Sequence, residues 1–271
     1  MADIRIKFFH NYQRNDRVIY LFENFLKEHF VSSRWKNIVV CDNNQDINVC
    51  FNDYEDWMNP RNTVVIDIEP PYSIYYSNRN PDLLYKTDRN KDPLVWVIHL
   101  GLSYSTLNNI YGFSKTRNIS SICSKLMCHK NQVERLDFIT EYKNRFGLDV
   151  FGFYNNELPY DKKFLGMIDY KYHIQAENFI APFHVSEKIM DAILSENLCF
   201  YYGAQNVSDI VDERSFIKID ISDYKESFRI INDSIRLNRY DDYKKSILDE
   251  KRRILNEVQL APRLHKIINS L

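Results

Sequence analysis

Apolar and polar residues alternate at the start of the chain. In "DIRIKFFH" the residues Ile4, Ile6 and Phe8 share one face, a period of two that predicts a half-buried strand. The period then lengthens. In "DRVIYLFENFLKEHF" Val18, Ile19, Leu21, Phe22, Phe25, Leu26 and Phe30 fall at helical spacing, with Asp16 placed to cap the first turn. Short apolar, β-branched runs follow: "NIVVCD" (37–42), "INVCF" (47–51), "NTVVIDIE" (62–69) and "PLVWVIHLG" (93–101). Unbroken apolar runs of this length suit parallel strands covered on both faces.

A second series begins at "RNISSICS" (117–124), a strand. The spacing of Val133, Leu136, Phe138, Ile139 and Tyr142 predicts a helix over 131–147, with Gly147 as its stop. Strands are predicted at "LDVFG" (148–152), "YKYHIQAE" (170–177), "CFYYG" (199–203) and "SFIKID" (215–220). A helix is predicted over 186–198, capped by Ser186, with Ile189, Met190, Ile193 and Leu194 inward. From about residue 223 the pattern is helical. Strands alternating with helices predict parallel sheets with right-handed crossovers. Two such series predict two α/β domains with a boundary near 111–118, and the long helical C-terminus is free to return to the first.

Composition changes this picture little. A chain of 271 residues, 44% hydrophobic and 27% charged, reads as an ordinary soluble globular protein large enough to bury a core without staples. A net charge of −1 argues against nucleic acid as the main partner. The Cys count is odd, 5, and no CxxC pair occurs, so reduced thiols in a reducing compartment are expected. Cys41, Cys50 and Cys199 lie in apolar runs as core filling, and Cys123 and Cys128 lack partners at zinc spacing. The opening "MADIRIKFFHNYQRNDR" has no apolar signal-peptide region, and no apolar run is long enough to span a bilayer. A cytoplasmic location is expected.

The candidate chemistry gathers in "AENFIAPFHVSEK". Ligands of open α/β sheets bind beyond the carboxyl ends of the strands, where Glu177 and Asn178 fall. Ser186, Glu187 and Lys188 open the next helix, where free N–H groups and the macrodipole favour an anion. Lys188 adds a full positive charge, and Glu187 is suited to accept from sugar or ribose hydroxyls. A phosphate or nucleotide site is one reading. The other is a solvated helix start with a capping Ser and a surface Lys.

The same stretch resembles the donor-binding motif of the α-1,3-fucosyltransferases. Glu177-Asn178 match the family's "EN", Glu187-Lys188 its "EK", Gly203 its closing Gly, and Ser215-Phe216-Ile217 its "SFI". Upstream, Arg135 and Leu148-Asp149-Val150-Phe151-Gly152 are similar to its "R…VDVFG" stretch, and "IEPP" (68–71) to its "ExP". The resemblance spans about residues 115–220. His184 stands where the family has Tyr, Ser186 where it has Thr, and Cys199 where it has Pro.

The resemblance implies a GT-B-like α/β fold, two Rossmann-like domains whose parallel sheets face a central cleft. The corresponding divisions are 1–115 on the acceptor side, 116–240 for the nucleotide-sugar donor, and 241–271 as C-terminal helices. It further implies an inverting transfer of L-fucose from GDP-fucose to a glycan hydroxyl, with no obligatory cofactor and no essential divalent metal. Arg135 and Lys188 would neutralise the diphosphate. Glu187 would hold donor hydroxyls, Asn178 would shape the loop with Glu177 and Ser186, and His184 would lie near the nucleotide. Glu69, ending an apolar strand before Pro70-Pro71, would be the general base, raised in pKa by burial. Tyr72, Tyr75 and Tyr76 would offer faces to an acceptor sugar, and His99 reads as a structural strand-end residue. Another nucleotide sugar as donor, or a glycan- or nucleotide-binding module without catalysis, are the alternatives. The acceptor, the linkage and the oligomeric state do not follow from the sequence.

Overall fold

The computed structural model describes residues 2–10, 28–69, 73, 77, 79, 82–88, 91–92, 97–152 and 156–270. Its strands form two sheets, each built from one of the two series along the chain. The first is six-stranded, in the order β2-β3-β1-β4-β5-β6. It contains β1 (Ile4–His10), β2 (Arg34–Trp35), β3 (Ile38–Val40), β4 (Ile47–Phe51), β5 (Thr63–Ile66) and β6 (Tyr85–Lys86). β1 pairs in parallel with both β3 and β4, and the parallel pairing continues through β5 to β6. Only β2 runs antiparallel. Trp35 pairs with Ile38 across Lys36 and Asn37, and Lys36 takes a positive φ of 53°, the tight-turn geometry that reverses a chain within a hairpin.

The second sheet is five-stranded and wholly parallel, in the order β11-β10-β9-β7-β8. It comprises β7 (Arg117–Ile122), β8 (Asp149–Phe151), β9 (Tyr170–Ala176), β10 (Leu198–Tyr202) and β11 (Phe216–Lys218). The helices are α1 (Tyr104–Asn109), α2 (Lys130–Phe146), α3 (Glu187–Leu194), α4 (Tyr224–Arg236), α5 (Arg239–Arg253) and α6 (Leu260–Asn269). The parallel-sheet α/β architecture expected from the sequence is present. Strand β9 lies at the centre, buried at almost every position, as a strand covered on both faces must be.

Two main cores result. Ile174, Phe200, Ile189, Ile193, Phe138 and Ile231 belong to the core around the second sheet. Ile6, Val49, Val64 and Ile66 of the first sheet pack with Leu260, Ala261, Leu264 and Ile268 of α6, so the end of the chain covers the sheet formed by its beginning.

Several elements differ from the sequence expectation. Of the helix expected over 16–30, only Glu28 and His29 among its helical residues are described, and residues 11–27 lie outside the described set. The run 93–101 is described from Val97 onward, and that part is not a strand. Its N–H groups go to side chains instead. Ile98 donates to His29 Nε2 at 3.2 Å, His99 to Asp191 Oδ1 at 2.9 Å, and Gly101 to Glu28 Oε1 at 3.0 Å. β5 stops at Ile66, because Asn52 Oδ1 accepts the N–H groups of Ile68 and Glu69 at 2.9 and 3.0 Å. α3 ends at Leu194 and not 198, because Glu196 turns left-handed, with φ of 61°. Its carboxylate takes the N–H groups of Gly112 and Phe113 and pairs at 2.8 Å with Lys251, in a contact wholly sealed from water.

Candidate functional site

Strand β9 delivers Glu177 at its carboxyl end, where the carboxylate is completely buried. The backbone N–H of Glu177 donates to Tyr202 O at 2.9 Å, so the residue is fixed to the end of β10. Its carboxylate then reaches across to the start of α3. Oε1 accepts from Ser186 N at 3.0 Å and from the Tyr201 hydroxyl at 3.1 Å. Oε2 accepts from Ser186 Oγ at 2.7 Å and pairs with Lys188 Nζ at 3.2 Å. Ser186 caps α3, with its side chain accepting from Lys188 N at 3.4 Å. Between Glu177 and Ser186 the loop is held at Phe183, whose φ is 59° and whose N–H donates to Asn206 Oδ1.

This explains why a glycine closes the β10 strand. A Cβ on Gly203 would lie 2.3 Å from the Tyr201 hydroxyl and 2.7 Å from Glu177 Cγ. Any side chain there would displace the carboxylate that organises the loop.

The charges on this frame are strongly coupled. Burial works against the Lys188 ammonium, but Glu177 and then Glu187 outweigh it and hold its pKa above the ordinary lysine value. Burial likewise opposes the Glu187 carboxylate, and Lys188 and Lys163 overcome it, holding that carboxyl below its ordinary value. The Glu187 side chain is 30% exposed and Lys188 15%, so Glu187 is the more accessible of the pair. Tyr201 is raised well above the usual phenol range, by burial and then by Glu177.

Arg135 comes from α2 and is buried to 4% exposure. One terminal nitrogen, Nη1, donates to Asn178 Oδ1, and Nη2 donates to Ser124 Oγ at 3.2 Å. Its Nε–H is buried without a hydrogen-bond partner, and among the described residues no carboxylate pairs with it. Its charge is felt at Lys188. Two cations therefore face one region at the end of the central strand, one of them solvated only by neutral oxygens. His184 is buried nearby, with its ring edge-on to Phe179 at 5.1 Å.

The structure thus brings Arg135, Glu177, Asn178, Ser186, Glu187 and Lys188 into one cluster. Glu177 is an internal brace in it, with no exposed surface. Glu69 stands past the end of β5 in the first sheet, half-buried. Tyr72, Tyr75 and Tyr76 lie outside the described residues. No group of three or more His, Cys, Asp or Glu placed to hold a metal occurs among the described residues. Nor is any described helix long and apolar enough to cross a membrane.

Sequence reasoning missed Lys163 and Asp191. Lys163 Nζ bonds Asp191 Oδ2 at 2.6 Å and lies 3.7 Å from Glu187 Oε1. Asp191 carried a readable signal, since an acidic residue one turn after Glu187 interrupts the apolar face of α3. Lys163 carried none, lying in the 3-10 turn Tyr160–Gly166 that has no hydrophobic period.

The cluster lies at a central strand end beside a helix start, the place where open parallel α/β domains as a class take their ligands. The family model of glycosyltransferase family 10 (fucosyltransferase), C-terminal part, matches residues 113–245. Over that domain the chain belongs to this fucosyltransferase family, and the protein is a glycosyltransferase. No curated protein matches. Among solved structures, an α1,3-fucosyltransferase with GDP-fucose is 18% identical, with a TM-score of 0.49, over 94% of this chain and 91% of that one. An α1,3-fucosyltransferase with GDP is 16% identical, with a TM-score of 0.49, over 96% and 92%. A GtfA/B complex is 12% identical, with a TM-score of 0.38, over 72% and 41%.

Proposed function

We propose that the protein transfers L-fucose from GDP-fucose to a glycan hydroxyl, forming an α-1,3 linkage with inversion at the anomeric carbon. The observation that carries this reading is Arg135, a buried guanidinium with an unpartnered Nε–H beside the Lys188 ammonium. A diphosphate supplies what that pair lacks, namely oxygens able to accept a charged fork and a second point charge at once. The family of the domain supplies the sugar.

In this mechanism the acceptor hydroxyl oxygen attacks C1 of the fucose from the face opposite the diphosphate. The C1–O bond to the diphosphate breaks, and its electron pair stays on the phosphate oxygen. The acceptor proton passes to the Glu69 carboxylate. Arg135 and Lys188 stabilise the charge that grows on the leaving GDP, a role that requires no divalent metal. Glu187 receives hydroxyls of the donor sugar, Asn178 orients Arg135, and His184 lies by the nucleotide. Glu177 and Ser186 keep the loop in shape.

The test pairs binding with turnover. GDP and GDP-fucose are expected to stabilise the protein, and transfer is expected to be unchanged by EDTA. Glu69→Ala is expected to lower kcat by about 10²- to 10⁴-fold, the usual contribution of a general base, with GDP affinity unchanged. Unchanged turnover would remove Glu69 from the role of base. Stabilisation by UDP and not GDP would overturn the donor assignment.

A further inference from the structure

We propose that Lys163, braced by Asp191, is a positioning residue that holds Glu187 for the sugar portion of the donor and leaves recognition of the nucleoside diphosphate untouched. The inference rests on the functional reading above and deepens it.

Glu187 lies between two ammonium groups, with Oε1 3.6 Å from Lys188 Nζ and 3.7 Å from Lys163 Nζ. The two lysines are anchored by different partners. Lys188 is bonded to Glu177 and Ser186, on the side of the proposed diphosphate site. Lys163 is bonded at 2.6 Å to Asp191, which has no exposure at all. Glu187 and Asp191 stand one turn apart on α3, a spacing at which two carboxylates repel. The interposed ammonium turns that repulsion into a bridge and fixes the direction of the Glu187 side chain.

The brace is itself held from outside the helix. Asp191 Oδ1 accepts the N–H of His99 at 2.9 Å. The adjoining backbone is tied by Phe164 N donating to Leu100 O at 2.9 Å and by Gly101 N donating to Glu28. A Cβ on Gly101 would come within 2.2 Å of Asp161 O, so the segment lies flush against the turn that carries Lys163. The charged and titratable groups around Lys163 are Asp191, Glu187 and Lys188, with His99, Glu28 and His173 also close enough to feel its charge. Burial opposes the Lys163 charge, and Asp191 and Glu187 restore it. Lys163 is committed to Asp191 at 2.6 Å, and Glu187 is the more exposed of the two, at 30% side-chain exposure against 16%.

A Lys163 that served only to neutralise buried Asp191 would affect every ligand alike. A Lys163 that orients Glu187 affects only ligands that carry the sugar. Calorimetric titration of the full-length chain with GDP and with GDP-fucose, together with steady-state kinetics, separates the two roles. Lys163→Met is expected to raise both the GDP-fucose Kd and its KM about tenfold, with the GDP Kd within about twofold of wild type. Lys163→Arg is expected to recover most of the loss. Lys163→Met leaves the buried Asp191 with the His99 N–H but without its cation. The double variant Lys163→Met/Asp191→Asn removes that burden and is expected to show the same sugar-selective loss in a folded protein. Combining Lys163→Met with Glu187→Gln is expected to add little to either change alone. Variants that weaken GDP and GDP-fucose equally, or that keep both at wild-type affinity, overturn the inference while leaving the functional reading in place. A wild type that binds neither ligand overturns both.

Discussion

Replacing Glu177 by Gln removes one charge from a place where the rest of the site depends on it. The side chain keeps its shape, but all its neighbours are arranged as donors. Ser186 N–H and the Tyr201 hydroxyl point at Oε1, and Ser186 Oγ–H and the Lys188 ammonium point at Oε2. The new NH₂ group must face one of these pairs, so at least one donor is left opposite another donor. Lys188 meanwhile keeps the Glu187 carboxylate, at 3.6 Å, and the Ser186 hydroxyl, at 2.9 Å. Removing one partner of a buried ion pair costs about 3–5 kcal/mol. The remaining Glu187 contact and the slight exposure of Lys188 place this case near the lower end, about 3 kcal/mol. For a chain of this length that corresponds to a fall in Tm of roughly 6–12 °C.

Thermal and urea unfolding of wild type and Glu177→Gln are the assay, with the midpoint expected to fall at constant m. A second readout separates charge from shape. A bound diphosphate returns the missing countercharge to Lys188, so GDP is expected to raise the Tm of the variant by at least as much as it raises that of wild type. A variant Tm within about 2 °C of wild type would refute the reasoning, because it would mean that Lys188 does not rely on Glu177.

Gly203→Ala is expected to cost about 1–3 kcal/mol by overpacking against Tyr201 and Glu177, and to weaken GDP binding in the same protein, read by Tm and by calorimetry. Arg135→Lys is expected to weaken GDP about tenfold or more, since the fork that grips two oxygens is lost and a charged hydrogen bond is worth about 1.5–3 kcal/mol; an unchanged GDP Kd would move the diphosphate away from α2. His173 and His29 are buried and pushed down to about 3 and about 4, chiefly by desolvation. Both bind fewer protons folded than unfolded, so stability falls as pH drops below the unfolded value of about 6.5, by about 2 kcal/mol for His173 alone at pH 5. Urea midpoints at pH 7 and 5 check this, and His173→Gln is expected to flatten the slope. Lys251→Met is expected to cost about 3–5 kcal/mol by leaving Glu196 buried without its cation, and adding Glu196→Gln is expected to recover part of it in a double-mutant cycle.

The longer strands of the two sheets and the starts of the longer described helices were legible because they follow from periodicity, which is local, whereas the two-residue strands Arg34–Trp35 and Tyr85–Lys86 and the short helix Tyr104–Asn109 are too brief to show one. Tyr170–Ala176 and Glu187–Leu194 are long, regular stretches with a capping Ser186 between them, and the charged residues that the loop gathers are near one another in sequence. Arg135 was reachable only through the family resemblance, since nothing local sets it apart from a solvated helix arginine. The segment Val97–Gly101 misled by composition. Its apolar residues are buried as in a strand, but its N–H groups are taken by side chains from Glu28, His29 and Asp191, distant in sequence and without any pattern that announces them. Lys163 stayed hidden for the same reason, as its partners Asp191 and Glu187 come from α3, beyond β9.

The uneven pairing of the cations bears on why such a site remains folded and still takes a ligand. A buried charge left uncompensated destabilises the fold, whereas one fully compensated has little left to offer an incoming anion. The protein divides these demands between two residues. Lys188 is tied to a permanently buried carboxylate, Glu177, and to a more exposed one, Glu187, so its charge is supported by carboxylates. Arg135 bonds the neutral oxygens of Asn178 and Ser124 and lies by the Cys123 thiol, and its Nε–H remains unmatched. The desolvation of Arg135 is therefore a local destabilisation that the proposed diphosphate would relieve, and the surrounding core of β9, β10 and α3 bears it. Under the proposed function, Arg135 would gain most from the incoming diphosphate, while Lys188 would add its charge from a position that Glu177 already holds.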